Sequence, residues 1–329
     1  MTGTIVAEAP ASQPVPGRPG PRRRPRPVLV RAARTRRGAI GLAIAGFVVL
    51  VAVIGPFVTP YSPTAFVTSP FATPSASNLL GGDLLGRDVL SRVLAGGWVL
   101  LVMAASATAF GVLVGAAAGV SAAYLRGWVD GLIMRSVDVV LAFPSLVFAL
   151  LLVSIVGPKL WLIILAVGFA QAPPVARVLR SATLDVSERD YVRAVELQGM
   201  RPAEVMRREL LPNLISPLMV ETGLRLTYSI VIIAGLAFLG FGLPPPTPNW
   251  GYMIQENRIG LSSNPWAVVV PAALIALLTI GVNTFTDAIA RVVIGVEGRS
   301  EDATLAGVLG VGGVGVGGIG GAGGIGGAG

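Results

Sequence analysis

Six runs of this chain are apolar and long enough to cross a bilayer hydrocarbon core of about 30 Å. The first, GAIGLAIAGFVVLVAVIGPFV over residues 38–58, sets the pattern, and the others fall at about 97–124, 137–156, 160–176, 222–243 and 266–289. Charged residues make up only 13% of the 329, which fits a polytopic membrane protein and excludes a soluble domain. The Thr59-Pro60-Tyr61-Ser62-Pro63 stretch offers no convincing cleavage site, so the first run is expected to remain as a span. Cysteine and histidine are both absent, which removes disulfides, thiolate nucleophiles and imidazole ligands together.

The net charge of +8 is not spread evenly. Residues 1–37 hold nine arginines among Pro and Gly, ending in Arg31, Arg34, Arg36 and Arg37, and read as a disordered tail held at the cytoplasmic leaflet. Contact with anionic lipid suits it. Nucleic acid does not, because no aromatic residue is interleaved for stacking. Residues 296–329 read as a second flexible cytoplasmic tail, Gly-rich after Gly307. Its Gly315 to Gly320 stretch matches a dinucleotide fingerprint by letter alone, with no strand before it or helix after.

One segment is charged throughout. Thirteen charges lie between Arg177 and Glu209, each costing about 2.5–3.5 kcal/mol at a bilayer centre. The segment 177–213 must therefore sit in water. Ser187 with Asp190 reads as a capping-box variant opening a helix. Tyr191, Ala194, Val195 and Gln198 would share one mild contact face, with Arg193 and Glu196 beside it. Gly199 suits a helix stop and Pro202 the first residue of a second helix, which would end at Pro212.

Elsewhere the spans show packing and bends. Ala107, Gly111, Gly115, Gly119 and Ala123 fall four apart, a stripe that lets helices approach closely in lipid. Arg126, Asp130 and Arg135 mark a short cytosolic turn. Phe143-Pro144 should kink the third span, as a hinge or a widening of a pathway. Pro173-Pro174 should close the last turn of the fourth. Glu221 and Arg225 suit an i,i+4 ion pair near the cytosolic boundary, either a local pair or a gate. Asp83 could cap a short amphipathic helix whose Leu85, Val89 and Arg92 share a face. Trp250, Tyr252 and Trp266 suit the membrane interface. Basic residues support six spans with both termini inside: twenty in the expected cytosolic pieces against four in the outer ones.

The segment Arg193-Ala194-Val195, with Gly199 and then Leu211-Pro212, resembles the "EAA" signature of permease subunits of ABC importers, with Arg for its Glu and Val for its second Ala. GGDLLGRDVLSRVLAGG resembles the "LGTDxLGRDxLSRxxxG" of the C-type permeases of dipeptide, oligopeptide and nickel importers, as does Gly235 to Gly251, GLAFLGFGLPPPTPNWG. Those relatives usually carry a Glu where Ile233 stands. The resemblance implies an all-α fold of six transmembrane helices, the type I importer transmembrane fold. It implies ATPase coupling through Tyr191, Arg193, Ala194, Val195, Glu196, Gly199, Arg201, Glu204, Leu211, Pro212 and Asn213. The implied partners are a homologous second permease, two ATPase subunits and an extracytoplasmic substrate-binding protein.

No P-loop is present, and the one lysine, Lys159, has the wrong neighbours for it. ATP and Mg are therefore expected in the partners, with no cofactor and no catalytic role in this chain. An ion-driven carrier would need ionisable groups deep in the spans, of which there are few. Peptide is the expected cargo. Nickel or another small solute is the alternative, although without His or Cys direct nickel coordination here is disfavoured.

Overall fold

The computed structural model describes residues 27–243 and 245–309. The arginines before residue 27, Pro244 and the Gly-rich stretch from 310 lie outside the described residues. Helix dominates, and among the described residues β pairing is limited to isolated bridges at Phe66–Arg87 and Gly82–Asp88.

Residues 28–37, expected as tail, are already helical: α1 (Val28–Ala33) is followed by α2 (Arg36–Ile54). Thr35 separates them, its hydroxyl accepting the Gly38 N–H at 3.0 Å as the cap of α2. An irregular segment leads to α3 (Val89–Leu125), 37 residues long and so about 55 Å. Its cap is Asp88, accepting the Ser91 N–H at 2.8 Å. Asp83 therefore does not open the helix as expected, and no separate amphipathic helix precedes the second span.

After Arg126, α4 (Gly127–Leu141) and α5 (Ser145–Val156) meet at a bend of 83°. Pro144 causes the break, since it disfavours helix for Phe143 before it and cannot donate back. The expected kink is present, and the expected cytosolic turn is instead a helix starting at Gly127. α6 (Leu160–Ser187) does not stop at Pro173-Pro174 but runs through both and carries the first charges out on its own axis. Packing against neighbouring helices is what makes such prolines tolerable.

The chain then forms α7 (Asp190–Leu197), α8 (Pro202–Val205), a wider-wound π turn at Met206–Leu210 and α9 (Leu211–Asn213). α10 (Ile215–Leu236) continues as a π turn to Phe241, where Gly240 takes φ 88°. α11 (Trp250–Asn257) lies between α10 and α12 (Trp266–Leu309), whose backbone runs past the boundary expected at 295. Among the described residues five helices are long and apolar enough to span, six when the bent α4–α5 pair is counted as one span.

Two seams hold the bundle. On α3 the small-residue stripe meets Gly168, Ala172 and Ala176 of α6, themselves four apart; a Cβ on Gly111 would lie 2.6 Å from the Gly168 carbonyl oxygen. On α2, Gly41 abuts the Phe285 backbone, while Gly281 of α12 abuts Ala45, an approach of the same kind that the sequence reading did not pick out. Where lipid is as apolar as leucine, such backbone contact gives dispersion that side-chain burial alone does not. The central core gathers Val99, Leu100, Met103, Ile163, Ile230, Ile233 and Leu236, so Ile233 sits in apolar surroundings. Trp250 is wholly buried, donating its indole N–H to the Val93 carbonyl at 2.7 Å, so its ring packs inside the bundle instead of facing outward.

Candidate functional site

Polar groups concentrate in three places: the elbow after α6, a buried charge cluster at the opposite end, and a small cluster between α6 and α10.

The elbow is mounted on its own core. Val192, Val205, Leu210 and Leu214 are fully buried against Val112, Val120, Val175, Leu179 and Val186, so the segment is fixed to the ends of α3 and α6. Ser187 ends α6, donating its hydroxyl to the Leu184 carbonyl at 2.9 Å, and does not cap α7. The residue before α7 is Arg189, which gives no side-chain cap, while Asp190 in the first turn complements the helix dipole. Gly199 stops α7 at φ 80°, its N–H donating to Glu196 at 2.9 Å, and Pro202 takes the first position of α8. Pro212 does not end the second helix, which runs through it to Asn213.

Of the expected coupling residues, Tyr191, Arg193, Ala194, Glu196, Gly199, Arg201, Leu211, Pro212 and Asn213 are exposed, and Val195 and Glu204 are half-buried. The structure thus turns Val195 towards the core and leaves Tyr191, Ala194 and Gln198 on the open side. It adds Leu197, 89% exposed, which the sequence reading missed. A leucine three residues after Ala194 was the available signal. Glu196 faces the Tyr124 hydroxyl at the end of α3. Glu204 pairs with Arg208 at 2.7 Å on an exposed face, worth little to stability. Beside the elbow, Arg180 grips Asp130 through two bonds of 2.6 Å and Arg177 meets Asp138 at 2.6 Å, tying α4 to α6.

At the other end, the motif read as an amphipathic helix is a buried ion cluster. Asp83 accepts from Arg87 Nε at 2.7 Å and from Arg92. Glu256 of α11 accepts from Arg87 at 2.5 Å and from Arg92 at 2.7 Å. Two cations meet two carboxylates, so the cluster is neutral in total, as burial requires. Asn257 accepts the Leu84 N–H at 2.9 Å, and Asn264 donates to Leu80 and Gly82 at 2.9 and 3.0 Å, sealing the segment onto α11 and the loop after it. Burial pushes the Asp83 carboxyl up, but the Arg87 backbone N–H and the Arg92 and Arg87 charges outweigh it, holding it below the usual carboxylate range. Arg92, expected on the face of a short helix, is fully buried.

The third cluster joins spans. Glu221, buried, and Arg225, half-buried, form the expected i,i+4 pair at 3.2 Å, and Arg225 donates to the Gln171 side-chain oxygen of α6 at 3.2 Å. Its guanidinium lies 5.1 Å from the centre of the Tyr228 ring, and Thr108 meets Ser229 nearby at 3.1 Å. The Glu221–Arg225 separation fits an ion pair, yet the atoms are not aligned for a hydrogen bond. Arg225 Nε, Glu221 Oε2 and Gln171 Nε2 are left without partners. Gln171 Nε2 has no ion-pair partner either, which costs about 1–3 kcal/mol. Phe143 and Pro144, the other expected hinge residues, are exposed at the α4–α5 bend. Among the described residues no group of His, Cys, Asp and Glu could hold a metal ion.

Residues 111–294, from the C-terminal part of α3 through α6, the elbow and α10 to most of α12, match the family described as binding-protein-dependent transport system inner membrane component. The chain is 32% identical over 257 residues to the dipeptide transport system permease protein of Alkalihalophilus pseudofirmus, covering 77% of this chain and 84% of that one. A putative peptide transport system permease protein of Brucella suis is 34% identical over 258 residues, 78% and 87% of the two chains. The glutathione transport system permease protein of Escherichia coli is 33% identical over 259 residues, 77% and 86%. Helices of spanning length, a charged elbow on its own core and these matches agree: the chain belongs to the binding-protein-dependent inner membrane components and is a multi-pass permease subunit of an ABC importer.

Proposed function

We propose that this chain lines, with a homologous second permease, the pathway of an importer for di- or oligopeptides. An extracytoplasmic binding protein delivers the peptide, and two ATPase subunits, which hold the ATP and Mg, drive the cycle through residues 188–211. Both termini and the elbow lie in the cytoplasm, and the Asp83–Glu256 cluster faces outward. Peptide cargo is supported by the relatives, whose names specify dipeptide, peptide and glutathione transport.

The observation that carries the coupling role is the mounting of the elbow. Its open side presents Tyr191, Ala194, Leu197 and Gln198, while its other side is locked through Val192, Val205, Leu210 and Leu214 to α3 and α6. A partner moving the open side therefore moves both helices, because a packed core transmits strain. The break at Phe143-Pro144 supplies a hinge, and the Glu221–Arg225 pair a gate between α6 and α10. The test replaces Leu197 with Asp and Gly199 with Val and measures ATPase association and peptide uptake in the assembled transporter. Both should fall at least tenfold, and unchanged values for both would remove the coupling role. Mass spectrometry of what the partner binding protein carries tests the peptide assignment separately.

A further inference from the structure

Between α6 and α10 three polar atoms are buried without hydrogen-bond partners: Arg225 Nε, Gln171 Nε2 and Glu221 Oε2. Gln171 lies eleven residues into α6, about 16 Å along it. Two of the three are donors, one cationic and one neutral, and Arg225 holds them together by bonding Gln171 through a different nitrogen. The sole anion is Glu221, which meets Arg225 at ion-pair distance but out of line. In a low dielectric a buried donor without a partner, such as Gln171 Nε2, calls for an explanation, and a further ligand supplies one. The shape of that partner follows from what is missing: an anionic group with two acceptor oxygens.

The cluster lies beside an open face. Tyr228, whose ring carries the Arg225 guanidinium, is 53% exposed, and Val231 beside it on the same face is 50% exposed. A tyrosine open at this depth suits a face that borders a polar pathway better than lipid.

We infer that Arg225 and Gln171 form a recognition point for a carboxylate of the transported solute, with Glu221 holding the anion position when no solute is present. The inference rests on the peptide reading above and deepens it, since the group recognised is the C-terminal carboxylate. Arrival of that carboxylate displaces Glu221 from the guanidinium, so the contact of α10 with α6 differs between empty and loaded pathways.

The test uses the full transporter in proteoliposomes, with saturating binding protein loaded with one of two probes: a dipeptide with a free carboxylate, or its C-terminal amide. The binding protein's own preference is common to every variant and cancels in the comparison. In Arg225→Gln the preference for the free acid over the amide should fall about tenfold or more relative to the unsubstituted chain. Arg225→Lys should keep most of it. Gln171→Leu, which leaves the charge pair intact, should lower it by a few-fold and covers the case where Arg225→Gln does not assemble. A loss of uptake equal for acid and amide in these variants would make the cluster purely structural and overturn the inference. An unsubstituted transporter that moves neither probe would overturn the peptide reading, and this inference with it. One that moves both equally would overturn this inference alone.

Discussion

A Cβ placed on Gly199 meets nothing within 4 Å, so the demand for glycine there is conformational alone. At φ 80° a β-branched residue costs about 1–2 kcal/mol, whereas Asn tolerates that region. Gly199→Asn should therefore keep most of the ATPase association that Gly199→Val loses, measured by co-purification; equal loss in both would point to contact rather than backbone. Asp83 behaves differently, because its role is charge. Its lowered value means that the stability it contributes is complete above the unfolded carboxylate value of about 3.9 and is lost as pH falls through the lower folded one. Thermal unfolding in detergent should be flat from about pH 5 to 8 on this account, with an acid limb below about pH 4 that Asp83→Asn makes shallower. That variant leaves Glu256 alone against Arg87 and Arg92, one buried positive charge in excess, and should cost about 3–5 kcal/mol near neutral pH. Gly199 was legible as a helix stop because its reason is local. The Asp83 cluster was not, because Glu256 lies 164 residues beyond Arg92.

The helices show the same division. The small-residue stripe on α3 announced a close partner by spacing alone, and the structure supplies α6. Gly115→Leu should force the two apart, visible as a lowered unfolding temperature and loss of assembled transporter, because the neighbour is the backbone carbonyl of Ala172 and cannot swing aside. Helix ends were read less well. Ser187 has the chemistry of a cap, yet its hydroxyl is already used within α6. Asp83 has it too, yet its carboxylate is held by two arginines while Asp88 caps α3. Pro173-Pro174 looked like a terminus because an isolated helix would break there; flanked by α3 and α10, it continues. The α4–α6 link is a weaker matter: Asp130 and Arg180 are partly exposed, so Asp130→Asn should cost about 1 kcal/mol or less. The double exchange Asp130→Arg with Arg180→Asp should recover most of any lost uptake, which separates charge pairing from position.

At the scale of the whole molecule the absence of native cysteine makes orientation directly measurable. Leu197→Cys should react with a membrane-impermeant thiol reagent in inside-out vesicles and be shielded when ATPase subunits are bound. Phe66→Cys, 72% exposed on the segment before α3, should react from the opposite side. The reverse pattern would invert the proposed topology. The helical, many-span membrane character and the lack of a P-loop followed from residue types in linear order, because burial in lipid is decided locally by what each stretch is made of. Which charges meet was decided only by tertiary structure: the Asp83, Arg87, Arg92 and Glu256 cluster, the Gln171–Arg225 bond and the core under the elbow each join groups far apart in the chain. Coulomb and hydrogen-bond energies depend on separation in space, which the folded bundle fixes and sequence distance does not.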